Sequence, residues 1–272
     1  MRNVDFYVDR EIPLRIRSLT GAMRSKTGGP VLFDDKRSFI IAVEAAEVGL
    51  TGRDLSLLLN RYVFNYAGSP LRNLSITTAG SQIVQKGTLH KVFPMPFEIR
   101  AQLSAMPDGR IRIHPVRTEI LGLHVDKLMR GLGLALDEVI DLKKAKGASV
   151  AGDDIFLQPT MILPPPAIEG RVSAVRVTGD QVVMTFGTAG ALGPIPDTTS
   201  LNYMFYRGGT LRFGKLMMLD AEMQINDLDP ADPLKFNIDR YLDQLVAGYS
   251  RTLRSGGLNV FMRDIDKLTA QQ

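Results

Sequence analysis

The chain has 272 residues, 44% hydrophobic and 23% charged, a composition that excludes a disordered chain and leaves room for one large domain or two ordinary ones. A formal net charge of +4 with 7% aromatics and no Trp argues against a dedicated nucleic-acid binder, which needs a denser basic footprint and stacking platforms. The absence of Cys removes disulfides, thiolate nucleophiles and zinc–thiolate sites.

No stretch is long and apolar enough to span a bilayer. Phe39–Leu50 comes nearest, and it is short and carries Glu44 and Glu47. The first ten residues lack the apolar core and cleavage site of a signal peptide. The expected location is periplasmic or envelope-associated, assuming an export signal removed ahead of Met1, and otherwise cytoplasmic.

In chain order, Ile12, Leu14 and Ile16 alternate with Arg15 and Arg17, the period-two pattern of a half-buried strand. Phe39, Ile41, Val43 and Ala45 form a second such run. A helix follows, capped by Thr51 with Asp54 near its positive end. Leu55, Leu58, Leu59, Tyr62 and Val63 give it one apolar stripe, and it stops before Gly68-Ser-Pro70. Strands over Leu74–Thr78 and Ser81–Leu89 flank a turn at Ala79-Gly80. Phe97, Ile99, Ala101 and Leu103 alternate with Glu98, Arg100, Gln102 and Ser104. After a turn at Pro107-Asp-Gly109, Ile111 and Ile113 alternate with Arg110, Arg112 and His114. This is a meander of long strands with one apolar and one charged face.

A second amphipathic helix is predicted from about residue 125 to 140, with Leu128, Met129, Leu132 and Leu136 as its stripe and Lys143, Lys144 and Lys146 behind it. Pro164-Pro-Pro166 reads as a stiff spacer, and Thr178-Gly-Asp180 as the turn of a hairpin. Residues 188–200, within a stretch rich in Gly, Pro and Thr, read as a linker. Beyond it, Met217, Leu219, Ala221, Met223 and Ile225 predict one long alternating strand. A helix with Phe236, Tyr241, Leu242 and Leu245 on its buried face and a last strand over Leu258–Phe261 complete the pattern. The expected domains are therefore 1–187, a linker 188–200, and a C-terminal strand–helix extension 201–272.

Catalytic signatures fail on inspection. Gly147-Ala-Ser149-Val-Ala151 lacks the final Gly of a nucleophile elbow. Gly131-Leu-Gly133 lies within a predicted helix rather than after a strand, and Leu136 stands where a dinucleotide fingerprint needs Gly. His90, His114 and His124 have no metal-ligand spacing. Counted as an EF-hand from Asp227, the run Asp227, Asp229, Asp232 meets Asp232 where Gly belongs and Ile238 where Glu belongs, and reads as a solvated loop. No catalytic residue, metal or cofactor is expected.

The stretch from about Ser75 to Leu136 carries a further pattern. Gln85-Lys-Gly-Thr-Leu89 leads to Phe93-Pro-Met-Pro-Phe97 and an alternating strand. Asp108-Gly-Arg-Ile-Arg-Ile113 and Ile120-Leu-Gly-Leu123, opening a helix, then follow. This resembles the bacterial LmeA-like phospholipid-binding proteins, relatives of the tubular lipid-binding (TULIP) superfamily, over roughly a quarter of the chain. The resemblance implies an α+β, TULIP-like fold, in which a long curved antiparallel sheet wraps amphipathic helices and holds acyl chains on its concave face. The lining would then come from Leu55, Leu58, Leu59, Val63, Phe97, Ile99, Leu103, Ile111, Ile113, Leu128, Met129 and Leu132. Lys143, Lys144 and Lys146, with Arg110 and Arg112, would meet headgroups or an anionic membrane surface. On pattern alone the same faces read as ordinary core.

The function expected is that of a non-enzymatic lipid-binding or lipid-transfer protein of the envelope, with a phospholipid or other acyl lipid as partner and no nucleic acid. A structural or protein-interaction module with a solid core is the alternative, and an unrecognised hydrolase with a polar cleft is the third reading.

Overall fold

The computed structural model describes residues 1–90, 93–120, 123–124, 141–188 and 192–268. Strands β1 (Arg2–Tyr7), β2 (Pro13–Ser25), β3 (Val31–Leu32) and β4 (Phe39–Thr51) open the chain. Helix α1 (Gly52–Leu58) continues into one wide turn over Leu59–Val63. Then come β5 (Leu71–Ala79), β6 (Gln82–His90), β7 (Pro94–Ala105), β8 (Ile111–Ile120), β9 (Leu123–His124), β10 (Ala148–Ala151) and β11 (Asp154–Leu157). Short helix α2 (Pro159–Ile162) precedes β12 (Ala167–Glu169), β13 (Val172–Thr178) and β14 (Gln181–Phe186). The last part holds β15 (Tyr203–Arg207), β16 (Leu211–Phe213), β17 (Leu216–Met218), β18 (Glu222–Asp227), β19 (Leu234–Asn237), helix α3 (Tyr241–Val246), β20 (Tyr249–Thr252) and β21 (Leu258–Met262). Strands hold 53% of the described residues and helices 10%, so the fold is dominated by large, mainly antiparallel sheets.

Two compact units divide the chain. Unit 1 comprises Met1–Val48, Pro165–Glu169 and Gly187–Gln272; unit 2 comprises Gly49–Pro164 and Gly170–Phe186.

Unit 2 is built on a sheet in the order β10-β11-β8-β7-β6-β5, with β9 beside β8. The α1 cap follows from its sequence. Thr51 Oγ1 accepts from the Asp54 amide at 3.2 Å, and Asp54 Oδ2 accepts from the Thr51 amide at 2.8 Å, the reciprocal pair that satisfies two otherwise orphaned donors. At the end of the helix Phe64 N donates to Leu59 O, five residues back. The widened turn contains Asn60, whose side chain accepts from Leu74 N at 2.9 Å and donates to Leu74 O at 2.7 Å. Leu74 lies where the β5–β6 register shifts between Arg72 and Ser75, so a helix side chain supplies the partners that β6 does not. The apolar faces of these strands then close on α1. Leu59, Val63, Leu74, Ile83, Phe97 and Ile113 form one buried cluster, joined by Val182 and the half-buried Val175 and Val177 of the β13–β14 hairpin.

In unit 1 the sheet runs β4-β2-β1-β15-β18-β21-β20, with β12 parallel to β4 and β19 parallel to β1. Its core gathers aromatic rings from distant parts of the chain. Phe33 lies 5.1 Å from Tyr241, 5.3 Å from Phe213 and 6.0 Å from Phe236, centroid to centroid, the spacing that favours tilted and edge-on ring pairs. Gln244, fully buried on α3, is satisfied on three sides. Its Nε2 donates to Lys235 O at 2.9 Å and to Arg263 O at 2.8 Å, and its Oε1 accepts from Asn237 N at 2.9 Å.

Three expectations need correction. The residues after Leu201 are not an extension to a 1–187 domain: β1 pairs with β15 at Arg2–Tyr203 and with β19 from Val4 to Tyr7, so the chain's two ends build one sheet. The strand expected from Met217 to Ile225 is broken, because Asp220 adopts a left-handed φ of 48° that ends the extended run between β17 and β18. The helix expected around Phe236 starts only at Tyr241; Phe236 is buried in the parallel strand β19, and Leu242 is exposed.

Candidate functional site

Unit 1 contains a pocket of about 600 Å³, within the usual range of roughly 300–1,000 Å³ for small-ligand sites. One wall is the β15–β18 pair. Met204 lies opposite Ile225 and Tyr206 opposite Met223, and cross-strand partners share a face of the sheet, so these four present one apolar surface. A second wall is the β2 stretch Leu19–Met23, and Phe33 and Ile41 contribute from the segments that follow.

Leu192–Ile195 supply a third wall, from within the expected linker. This segment is tied down two residues further on. Gln224, fully buried, accepts from Asp197 N at 2.8 Å and donates to Asp197 O at 3.0 Å. Its Nε2 also donates to Asn226 Oδ1 at 2.7 Å. A glutamine that answers both polar groups of one backbone residue fixes that residue's position.

The lining is adaptable and mostly apolar. Met1, Met23, Met204 and Met223 all contribute, and thioether side chains accommodate irregular ligands. Burial raises the Tyr206 phenol above its ordinary value, as expected beside an apolar wall. Arg207 also lines the pocket; its guanidinium contacts Glu222 at 3.1 Å and is largely exposed.

The residues expected to line a groove lie elsewhere, in unit 2. Leu59, Val63, Phe97, Ile99 and Ile113 are buried in its core, with Leu55 and Leu103 half-buried against them. Leu58 and Ile111 are buried as well. Leu128, Met129 and Leu132 lie outside the described residues. Lys143, Lys144 and Lys146 are exposed, whereas Leu142 before them and Ala145 among them are buried. The two arginines expected to assist are already engaged: Arg110 pairs with Asp108 at 2.7 Å and covers the Phe156 ring at 4.8 Å, and Arg112 pairs with Asp154 at 2.7 Å.

Two polar constellations are more organised than the sequence suggested. On β8 and β11, Asp154 receives both Arg112 and His114 Nδ1, the latter at 2.7 Å. Burial alone would raise this carboxyl; the hydrogen bonds from His114 and Arg112 outweigh it and hold it below the ordinary range. The arrangement orients an imidazole, but Arg112 shares the carboxylate, and no hydroxyl is placed against the far ring nitrogen among the described contacts. In unit 1, Asp229, Asp232 and Asp264 converge closely enough to suggest a cation site. Lys267 Nζ already fills it, 3.0 Å from Asp264 Oδ2 and 3.3 Å from Asp232 Oδ1, with Asp229 also in contact. The ammonium takes the place a metal would need.

The signals that could have led to the pocket were faint: a glycine, Gly21, inside an alternating strand, the Gly208-Gly209 pair after β15, and the high methionine count. Among the described residues no helix is long and apolar enough to cross a membrane. No family model, curated protein or solved structure matches the chain.

Proposed function

We propose that this chain is a non-enzymatic acyl-lipid-binding protein of the bacterial envelope, holding an apolar tail in the unit 1 pocket. The observation that carries the reading is the pocket's wall: Met204, Met223, Ile225 and Tyr206 on one sheet face, opposed by the Leu19–Met23 stretch. Each methylene buried there contributes about 0.8 kcal/mol, so affinity comes from contact length and calls for no reacting group. The resemblance around Ser75–Leu136 supports an acyl ligand and an envelope location. The wrapped, TULIP-like geometry belongs to this proposal as well.

Native mass spectrometry of the purified protein, followed by organic extraction, tests it. The expected result is a discrete added mass that extracts as an acyl lipid. Met204→Trp, which fills the pocket from its wall, should reduce the bound fraction while leaving the melting transition in place. A clean apo mass, unchanged after incubation with liposomes, would overturn the reading.

That outcome would favour a structural or protein-interaction module. The specific support for this second reading is unit 2, where the expected lining residues that the structure describes are buried or half-buried as core.

A further inference from the structure

The β16–β17 hairpin of unit 1 exposes a run of apolar residues that the fold does not use. Lys215 in its turn is followed by Leu216, Met217, Met218 and Leu219. Leu216 is 46% exposed, Met217 47% and Leu219 78%. Strand β17 is the edge of a three-stranded sheet, β17-β16-β3, so its outer backbone is unpaired within that sheet. Leu216 lies opposite Phe213 and Met217 opposite Arg212. Successive strand residues point to opposite faces, so the apolar exposure is two-sided. A partner protein docking on a sheet face would cover one side only. A medium that surrounds the tip satisfies both.

The charges nearby select the medium. Lys215 and Arg254 are exposed and form no ion pair among the described contacts. Arg254 lies in the turn between Thr252 and Ser255, and both of these line the same depression as Leu216–Leu219. The acids there are Asp220 and Glu222, and Glu222 is held by Arg207 at 3.1 Å and by Ser255. Free cations beside an exposed apolar tip match an anionic lipid surface, where the apolar residues enter the interface and the cations meet phosphates. Position supports the same occupant: Arg207 lines both this depression and the acyl pocket.

We propose that the Lys215–Leu219 tip is a membrane anchor, inserting Leu216, Met217 and Leu219 into the interface of an anionic bilayer with Lys215 and Arg254 at the headgroups. The inference extends the acyl-ligand reading by naming the surface at which such a ligand would be exchanged.

The chain has no Trp, so Leu219→Trp gives a single fluorescent reporter at the tip. With vesicles of phosphatidylcholine and phosphatidylglycerol, its emission should move to the blue and be quenched by bromine-labelled acyl chains. With phosphatidylcholine alone the shift should be weaker. Leu216→Ser with Met217→Ser in the reporter background should lower partitioning about tenfold or more, with an unchanged melting curve. An emission that stays put with both vesicle types overturns the anchor. So does a blue shift that needs no lipid and grows with protein concentration, since a second copy would then cover the tip. Native masses of the same samples separate the two ideas. A lipid-laden protein without the shift leaves the pocket reading standing and removes the anchor. An apo protein with the shift keeps the anchor and removes the pocket reading.

Discussion

Asp227 ends β18 with its carboxylate half-buried. Oδ1 accepts from Asp229 N at 2.8 Å and Oδ2 accepts from Asn202 Nδ2 at 3.0 Å. Burial pushes its pKa up to about 6, against the lowering effect of these hydrogen bonds, and the charges of Asp264 and Asp232 add to the rise. The folded chain therefore binds this proton more tightly than the unfolded chain, whose aspartates titrate near about 3.9. Between about pH 4 and pH 6 the folded state carries the extra proton, so this group's contribution to stability falls as pH rises through that window. Asp229 and Asp232 work in the opposite sense: hydrogen bonds from Lys267 and Lys235, respectively, hold their carboxyls low. Asp227→Asn isolates the first effect. Its amide faces the donating Asn202 amide, a loss that does not vary with pH. The difference in Tm, variant minus parent, should rise from pH 4 to 6 and then level off. A difference that stays flat across the range would show that Asp227 titrates normally.

At the scale of elements, β2 and β4 approach each other closely at one point. A Cβ built on Gly21 would lie 2.2 Å from the carbonyl oxygen of Ala42, a distance that backbone atoms cannot tolerate. Gly21→Ala should force the two strands apart and destabilise unit 1 by about 1–3 kcal/mol, read as a lower urea midpoint with an unchanged m-value. Because Gly21 also lines the pocket, the variant should lose bound lipid in the same preparation. An unchanged midpoint would mean that the strands already have slack there. The sequence announced several elements well, and for local reasons. Thr51 and Asp54 mark the start of α1, Ala79-Gly80 and Pro107-Asp-Gly109 mark hairpin turns, and alternation marks the strands between them. It concealed the break after β17, because Met217, Leu219, Ala221, Met223 and Ile225 keep period two straight through it. The break lies in the backbone of Asp220, which takes a left-handed conformation more readily than most side-chain-bearing residues but carries no glycine's warning. The exposed tip was hidden by the same regularity: Leu219 reads as an inward residue in an unbroken strand and is instead the most exposed of the run.

At the scale of the whole molecule, what the sequence could not disclose was which strands meet. Periodicity reports the face a residue presents, not the partner across the ladder. The pairing of β1 with β19 joins residues 230 positions apart at Val4 and Leu234, and the pocket inherits that separation, since its walls come from β2, the 192–195 segment and β15–β18. Local reading therefore found the apolar faces of unit 2, where successive strands pair as a meander, and missed the pocket assembled by long-range pairing in unit 1. The difference can be tested by truncation. If the first 187 residues were a domain with a later extension, a chain ending at Ser200 would keep a cooperative fold. In the structure that cut removes β15, β18, β19 and β21 together with Phe213, Phe236 and Tyr241. Phe33 would lose its contacts with Phe213, Phe236 and Tyr241 and keep only Phe39 as a ring partner, and β1 would keep only β2. The truncated chain should therefore lose the protease resistance and amide protection of Arg2–Val48, while Leu71–Ala105, whose strands pair only within unit 2, keeps slow exchange. Hydrogen exchange resolved by peptide distinguishes the cases, because retained protection across Arg2–Val48 would restore the 1–187 division.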